Sequence, residues 1–335
     1  MKILVIRFSS IGDIVLTTPV VRCLKQQLAG AEIHYLTKKS FISILQANPY
    51  IDKIHELSQD FDETVRALKA EGFDFVVDLH HNLRSMRVKR ALNCRSASFN
   101  KLNIQKWLYT NFKINLMPKR HIVDRYLETV SSLGVTNDGG GLDYFIPESE
   151  IVSQRDIPAS HQLGYIGLVV GAAHATKRLP LHKLKELVSI IDHPVIVLGG
   201  PEDRAVGDVL AETDPFKIYN ACGKFSINES ADLVRQAKLV ISHDTGLMHI
   251  AAAFRKPVIS VWGNTVPAFG MYPYYGQSYN LPQMQSFDIV EVNGLPCRPC
   301  SKIGYEKCPK GHFKCMEQID PAHIRKLVQK MLNST

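Results

Sequence analysis

The chain has 335 residues, 45% hydrophobic and 21% charged, a composition suited to a soluble protein of two domains. No apolar run reaches the roughly 18 to 20 residues of a membrane-spanning helix, and the opening run is interrupted at Arg7 and Asp13, so neither a membrane span nor a secretory leader is expected. The net charge of +8 favours an acidic partner, whether nucleic acid, an anionic membrane surface or a phosphorylated molecule, and an odd count of seven cysteines points to a reducing, cytoplasmic setting.

Along the first half, β-type runs at 3–8, 32–36, 53–57 and 73–79 alternate with helical patterns, the first starting near Asp13. Such alternation predicts βαβ units and a parallel sheet, and the unbroken Phe75-Val76-Val77 fits a strand buried on both faces. Between 136 and 161 the chain turns Gly-, Pro- and polar-rich, which places a domain boundary there and divides the protein into 1–155 and 156–320. Alternation then resumes, with strands expected at 165–170, 194–198, 239–242 and 257–262 and helices at 181–191 and 229–236. A Cys-rich loop at 293–315 precedes a terminal amphipathic helix in 321–335, expected to pack back on the N-terminal lobe. The predicted fold class is α/β, two Rossmann-like doubly wound lobes facing a cleft, with ligands outside the carboxyl ends of the strands.

The segment from Ser242 to His249 reads as a strand, a tight turn and a helix N-terminus. Backbone N–H groups in a first helical turn lack internal partners and sit at the positive end of the helix dipole, so Thr245, Gly246 and Leu247 could bind a pyrophosphate through main chain alone. Simple capping by Asp244 or Thr245 is the alternative. Asp13, at the carboxyl end of the first strand, could act as a general base toward the cleft or cap the helix that begins there.

Asp244-Thr245-Gly246-Leu247-Met248-His249-Ile250-Ala251-Ala252-Ala253 resembles the D-[ST]-G-x-x-H-x-A-A-A motif of the glycosyltransferase family that contains the ADP-heptose:lipopolysaccharide heptosyltransferases (family nine). The stretch from Arg7 to Pro19 resembles that family's R-x-[SA]-x-[IL]-G-D-[IV]-x-x-[ST]-x-P pattern. The resemblance spans nearly the whole chain and implies a GT-B fold with an inverting, metal-independent reaction. It implies Asp13 as base and Lys177 as the lysine that neutralises the leaving nucleotide. Glu202, with Asp203 close behind, corresponds to the residue that holds the ribose, and Asp244 to a contact with the donor sugar. Gly223-Lys224-Phe225-Ser226 would lie against the nucleobase, and Gly263-Asn264-Thr265 would form a second donor-facing turn. For the acceptor it implies His121 and Arg125, beside Arg84 in the basic stretch that follows the fourth strand; a solvated charged helix face is the competing reading of each. His249 is expected to be structural. The implied partners are a nucleotide-sugar donor, with ADP-heptose first, and an anionic lipid-linked saccharide acceptor met by peripheral contact with the inner membrane surface.

Cys297, Cys300, Cys308 and Cys315 leave open a structural zinc or free thiols, with His312 a further ligand, although the second pair is spaced too widely for a usual half-site. No cofactor is expected for catalysis, since Asp60-Phe61-Asp62 lies in a connecting segment. A zinc-containing nucleic-acid-binding protein is disfavoured because the basic residues read as dispersed, and no nucleic-acid partner is expected. A dinucleotide oxidoreductase is disfavoured because the first loop is not G-x-G-x-x-G; a sugar-nucleotide epimerase on similar lobes stays open.

Overall fold

A computed structural model describes residues 1–276 and 287–333 of the chain. The first lobe runs β1 (Lys2–Ile6), α1 (Ile11–Val15), α2 (Thr18–Gln27), β2 (Glu32–Thr37), β3 (Lys53–Glu56), α3 (Phe61–Glu71), β4 (Phe75–Asp78), α4 (Leu83–Leu92), β5 (Arg95–Ser98), α5 (Asn103–Phe112) and α6 (Ile122–Leu127). The second runs β6 (Ile166–Val169), α7 (Leu181–Ile190), β7 (Val195–Leu198), α8 (Arg204–Ala211), β8 (Ile218–Asn220), α9 (Ile227–Gln236), β9 (Leu239–His243), α10 (Gly246–Ala253), β10 (Val258–Trp262), β11 (Phe287–Glu291), α11 (Lys314–Glu317) and α12 (Pro321–Leu332). Residues 277–286 of the expected second domain and 334–335 of the expected terminal segment lie outside the described residues. None of the described helices is long and apolar enough to cross a membrane.

Every strand pairing is parallel, in the orders β3-β2-β1-β4-β5 and β11-β10-β9-β6-β7-β8. Helices therefore cover both faces, and the central strands are buried throughout, as in the all-buried β4, β6 and β9. Each sheet reverses its direction of growth once, between β1 and β4 in the first and between β6 and β9 in the second. Loops diverge at such points and open a crevice beyond the strand ends. The segments that follow β1, β4, β6 and β9 carry Asp13, Arg84, Lys177 and Asp244 to Leu247 of the predicted site; Glu202 follows β7, and His121 and Arg125 follow α5.

Strands β5, β8 and β11 were not expected: all three are sheet edges, too short or too polar to stand out, as in Arg95-Ser96-Ala97-Ser98. The transition between lobes also begins earlier than 155, because Tyr144 Oη donates to Asn228 Oδ1 (2.6 Å) and Val152 N–H to Asp232 Oδ2 (2.9 Å), both on α9. The terminal helix corrects an expectation. α12 packs on α7 of the second lobe, burying Ile324, Val328 and Met331 in the cluster that holds Leu184 and Leu187, and Arg325 pairs with Asp192 at 2.9 Å. Its apolar stripe matches the open face of its own sheet, so it does not return to the N-terminal lobe.

The lobes share one apolar core: Ile14, Val15 and Leu16 belong to the same cluster as Met248, Ile250 and Ala251. The closest approach joins the first turns of α1 and α10. A Cβ on Gly12 would stand 2.7 Å from His249 Cδ2 and 3.4 Å from Gly246 Cα; one on Gly246 would stand 2.7 Å from Ile11 Cγ2 and 3.3 Å from the Gly12 nitrogen. Gly246→Ala should accordingly cost about 1–3 kcal/mol through overpacking. Denaturant unfolding checks this, and an unchanged midpoint would show that the two helices do not meet so closely.

Candidate active site

β1 ends in Arg7, and the chain turns through Ser10 into α1, whose first turn presents Asp13. Ser10 and Asp13 form a capping box, Asp13 Oδ2 accepting from the Ser10 N–H (3.3 Å) and hydroxyl (2.9 Å). Arg7 Nη2 meets the other carboxylate oxygen at 2.6 Å. Arg7 is itself fixed: Nε donates to Ser9 O (2.8 Å), and Nη1 to Leu79 O (2.6 Å) and Tyr126 Oη (3.1 Å). Burial pushes the Asp13 carboxyl up, but the Arg7 charge and the Ser10 hydrogen bonds outweigh it and hold the group below its ordinary value. Asp13 both caps its helix and keeps its charge, with its side chain still 21% exposed. The capping alternative is thus realised without consuming the carboxylate.

On the second lobe, β9 leads into α10 with Thr245 as N-cap, and no side chain caps this helix. The Thr245 hydroxyl instead lies 3.1 Å from Ser242 Oγ. Asp244 is also engaged elsewhere: its Oδ2 accepts from Lys177 Nζ at 2.6 Å and from Thr265 Oγ1 at 3.1 Å. The N–H groups of Gly246 and Leu247 thus open a helix whose side-chain cap is absent, the feature an anion would use. Lys177, in a 3-10 turn at Ala175–Lys177 after β6, is brought to the same helix end.

The expected ribose and base segments also come together. Glu202 is exposed in the turn Pro201–Asp203 after β7, whereas Asp203 is buried, pairing with Arg178 Nη1 (3.0 Å) and accepting from Gly200 N–H (3.0 Å). Asp203 and Arg178 therefore brace the two loops to each other, and Glu202 is the carboxylate left to a ligand. Gly223, at φ 65°, lies against the Pro201 backbone, where a Cβ would approach Pro201 Cα to 2.6 Å. This puts the Gly223–Lys224 turn beside Glu202.

Two histidines of the motif are buried scaffolding. His243 Nε2 accepts from Leu179 N–H at 3.0 Å, and His249 lies behind Gly12; burial pushes both down to about 4, so both are neutral. The charges of Asp244, Asp13 and Lys177 all act on the His249 ring.

The acceptor-side residues divide. Arg84 is exposed on α4. His121 is 2% exposed with both ring nitrogens in use: Nδ1 accepts from Val123 N–H (3.2 Å) as the N-cap of α6, and Nε2 donates to Tyr272 O (2.8 Å). It therefore pins the second lobe to the first and has no nitrogen free for an acceptor. Arg125 is buried too, Nη2 donating to Asn100 O (2.8 Å), but its Nη1 has no partner among the described residues. Sequence reasoning missed Lys101 and Lys106. Burial first, then the Arg125 charge, pushes Lys106 down to about 8, and the Asp13 carboxylate opposes the shift in both lysines. Neither lysine belongs to a local motif; each feels the Asp13 carboxylate and Lys302 of the Cys-rich loop only through the fold.

The Cys-rich loop serves as a brace. Arg298 donates to Gly263 O (2.6 Å), Thr265 O (2.9 Å) and Glu291 (2.6 Å); Cys300 N–H donates to Asn264 O (3.3 Å); and Thr176 N–H donates to Tyr305 O (3.1 Å). It holds both the Lys177 turn and the loop that carries Thr265. Its thiols do not fit a zinc set as placed: Cys297 Sγ lies 3.8 Å from His312 Nε2, but no three of these ligand atoms fall within 4.8 Å of one another. Among the described residues the set that does is His34, His55 and Glu71, where His34 Nδ1 already hydrogen-bonds His55 Nε2 (2.8 Å) and Lys2 and Lys53 hold the carboxylate.

Comparison with known proteins accords with this geometry. Residues 63–300 match Glycosyltransferase family 9 (heptosyltransferase). The chain is 25% identical over 292 residues to lipopolysaccharide heptosyltransferase 1 of Campylobacter coli, covering 79% of this chain and 84% of the relative. It is 28% identical over 290 residues to lipopolysaccharide heptosyltransferase 3 of Escherichia coli K12, covering 77% and 81%. Among solved structures, the glycosyl transferase family 9 protein of Veillonella parvula DSM 2008 superposes with a TM-score of 0.78 at 22% identity, covering 100% of this chain and 98% of that one. E. coli heptosyltransferase WaaC with ADP superposes at 0.69 and 19%, covering 99% and 100%. The two-lobed arrangement is that of a GT-B enzyme, and the chain belongs to glycosyltransferase family 9, the heptosyltransferase family.

Proposed function

We propose that the chain transfers a heptose-like sugar from a nucleoside-diphosphate donor, ADP-heptose being the first to test, to an anionic, lipid-linked acceptor of the lipopolysaccharide-core type. The observation that carries this reading is the meeting of the first turn of α1, which bears Asp13, with the uncapped N-terminus of α10 across the Gly12–Gly246 contact. An acceptor hydroxyl deprotonated by Asp13 attacks the anomeric carbon as the bond to the diphosphate breaks, and one displacement inverts that centre. The departing charge is taken up by the α10 N–H groups and by Lys177, which exchanges its Asp244 partner for phosphate. Because the Lys177 ammonium and the helix end supply this stabilisation, no cofactor enters the proposed step. Asp60, the one acidic residue of Asp60-Phe61-Asp62 with side-chain bonds of note, is spent capping α3. The names of the relatives, all lipopolysaccharide or lipooligosaccharide heptosyltransferases, favour transfer over epimerisation.

Donor identity is read from thermal stabilisation across ADP-, GDP-, UDP- and CMP-sugars, since a ligand that binds the folded state raises its apparent stability. ADP-heptose is expected to give the largest shift, and Lys177→Ala to diminish it. Asp13→Asn should lower transfer by about 100-fold or more while leaving that shift in place, in keeping with the loss of a general base. Retention of near wild-type transfer by Asp13→Asn would rule the base assignment out.

Arg7 sets the pH dependence. With the folded-state carboxyl held low, Asp13 stays ionised until the pH falls through its lowered value, so the acid limb of kcat/KM lies below the ordinary Asp value of about 4. Arg7→Gln removes the charge and should move that limb upward; Arg7→Lys keeps the charge and should move it less. Identical limbs in all three proteins would dissociate Arg7 from the base.

A further inference from the structure

One face of the first lobe, beside the seam between the lobes, combines charge and exposed apolar surface. Residues 79–123 contain ten Lys and Arg and no Asp or Glu, so this segment accounts for all of the +8 and the remainder of the chain is close to neutral. The basic residues are therefore concentrated, contrary to the dispersed distribution expected from the whole sequence.

Within this segment α5 buries none of its ten residues. Its two faces differ. Toward the protein, Lys106 lies 5.9 Å from the Phe269 ring centroid, Tyr109 meets the same ring edge-on at 5.9 Å, and Lys113 Nζ donates to Cys297 O (3.2 Å) and Pro299 O (2.7 Å). Away from it, Ile104, Trp107 and Phe112 share the opposite arc of the helix, Trp107 and Phe112 being 55% and 59% exposed and in edge-to-face contact at 5.2 Å. Leu116, beyond the helix, and Leu83, at the start of α4, extend the exposed apolar surface.

An exposed helix face of aromatic and aliphatic side chains, with basic residues on the segments that flank it, is a pattern that lies in a membrane interface, the apolar face among the headgroups and the cations near lipid phosphates. Beside it, a cleft of about 520 Å³ between the starts of α4 and α5 is lined by Leu83, Met86, Ile104, Asn100 and Lys101. Asn100 also accepts from Arg125, so the cleft joins the apolar face to the expected acceptor-side arginine.

We propose that α5 and the residues that follow it seat the protein on a bilayer containing anionic phospholipid, with Trp107, Phe112 and Leu116 entering the headgroup region and the exposed cations of the flanking segments, Arg84, Arg87, Arg90 and Lys119 among them, facing lipid phosphate. This deepens the lipid-linked-acceptor reading, and rests on it only for what the bilayer delivers.

The full-length protein is sedimented with vesicles of phosphatidylethanolamine plus phosphatidylglycerol and with vesicles of phosphatidylcholine alone. Binding is expected to the former, to weaken with salt, and to fall about tenfold or more in Trp107→Ser/Phe112→Ser/Leu116→Ser, whose exposed positions spare the fold. The chain has two tryptophans, and Trp262 is buried, so lipids brominated on their acyl chains should quench Trp107 alone. Equal binding to both vesicle types, unaltered binding by the triple variant, or an unquenched Trp107 overturns the proposal. So does loss by that variant of RNA binding or of a dimer in a wild type that ignores vesicles. Transfer to a deacylated, soluble acceptor should be unchanged in the triple variant. Vesicle binding by a protein that transfers to no acceptor would leave the docking face standing and reject the acceptor reading.

Discussion

Two glycines without side chains allow the first turns of α1 and α10, helices grown from separate sheets, to touch. A Cβ at Gly12 would run into the His249 ring and one at Gly246 into the Ile11 side chain, so the spacing of the lobes at this point depends on both residues being glycine. The apolar core continues behind the contact, through Ile14 and Val15 on one side and Met248 and Ile250 on the other. The neutral His249 ring fills the space against Gly12. Asp13 rides on α1 and the open N–H groups on α10, so the same contact that unites the lobes sets that carboxylate and those donors at a fixed relation.

Ion pairs complete that arrangement. Arg7 clamps Asp13 while its remaining donors are spent on Ser9, Leu79 and Tyr126, which ties the carboxylate to the ends of β1 and β4 and to α6. Lys177 and Asp244 form the corresponding pair on the second lobe. The two pairs differ in consequence. Arg7 is held on every side and cannot follow a ligand, whereas Lys177 bonds Asp244 alone and can trade it for a phosphate. Outside them, Arg178–Asp203 and the Cys-rich loop, through Arg298 and Tyr305, fix the loops that carry Lys177 and Thr265. The cysteines thus lie in a buttress of the donor loops.

Charge is distributed with the same economy. The second lobe offers helix-end dipole and a single lysine to the donor, while the first gathers cations on α4, α5 and the segment after it. A free-standing concentration of ten like charges would disfavour compaction. Here they are spread along a surface that also exposes tryptophan and phenylalanine.

The repeating pattern of apolar runs and helix-length segments was enough to predict two doubly wound lobes, because strands buried on both faces read as continuous hydrophobic stretches. The turn residues around Gly12, Lys177 and Gly246 were legible for a similar reason: a strand, a short turn and a helix start are local, and the chemistry of an uncapped helix end is local too. Edge strands escaped notice because a single exposed ladder asks little of its side chains. The fate of His121 and α12, the spare donor on Arg125, and the seat of Lys113 depended on which distant segments came to face them. His121 met the Tyr272 carbonyl, α12 met α7, and Lys113 met the Cys297 and Pro299 carbonyls of the Cys-rich loop. Periodicity decides what each segment is and which face it must bury; only packing of the two sheets decides what that face encounters.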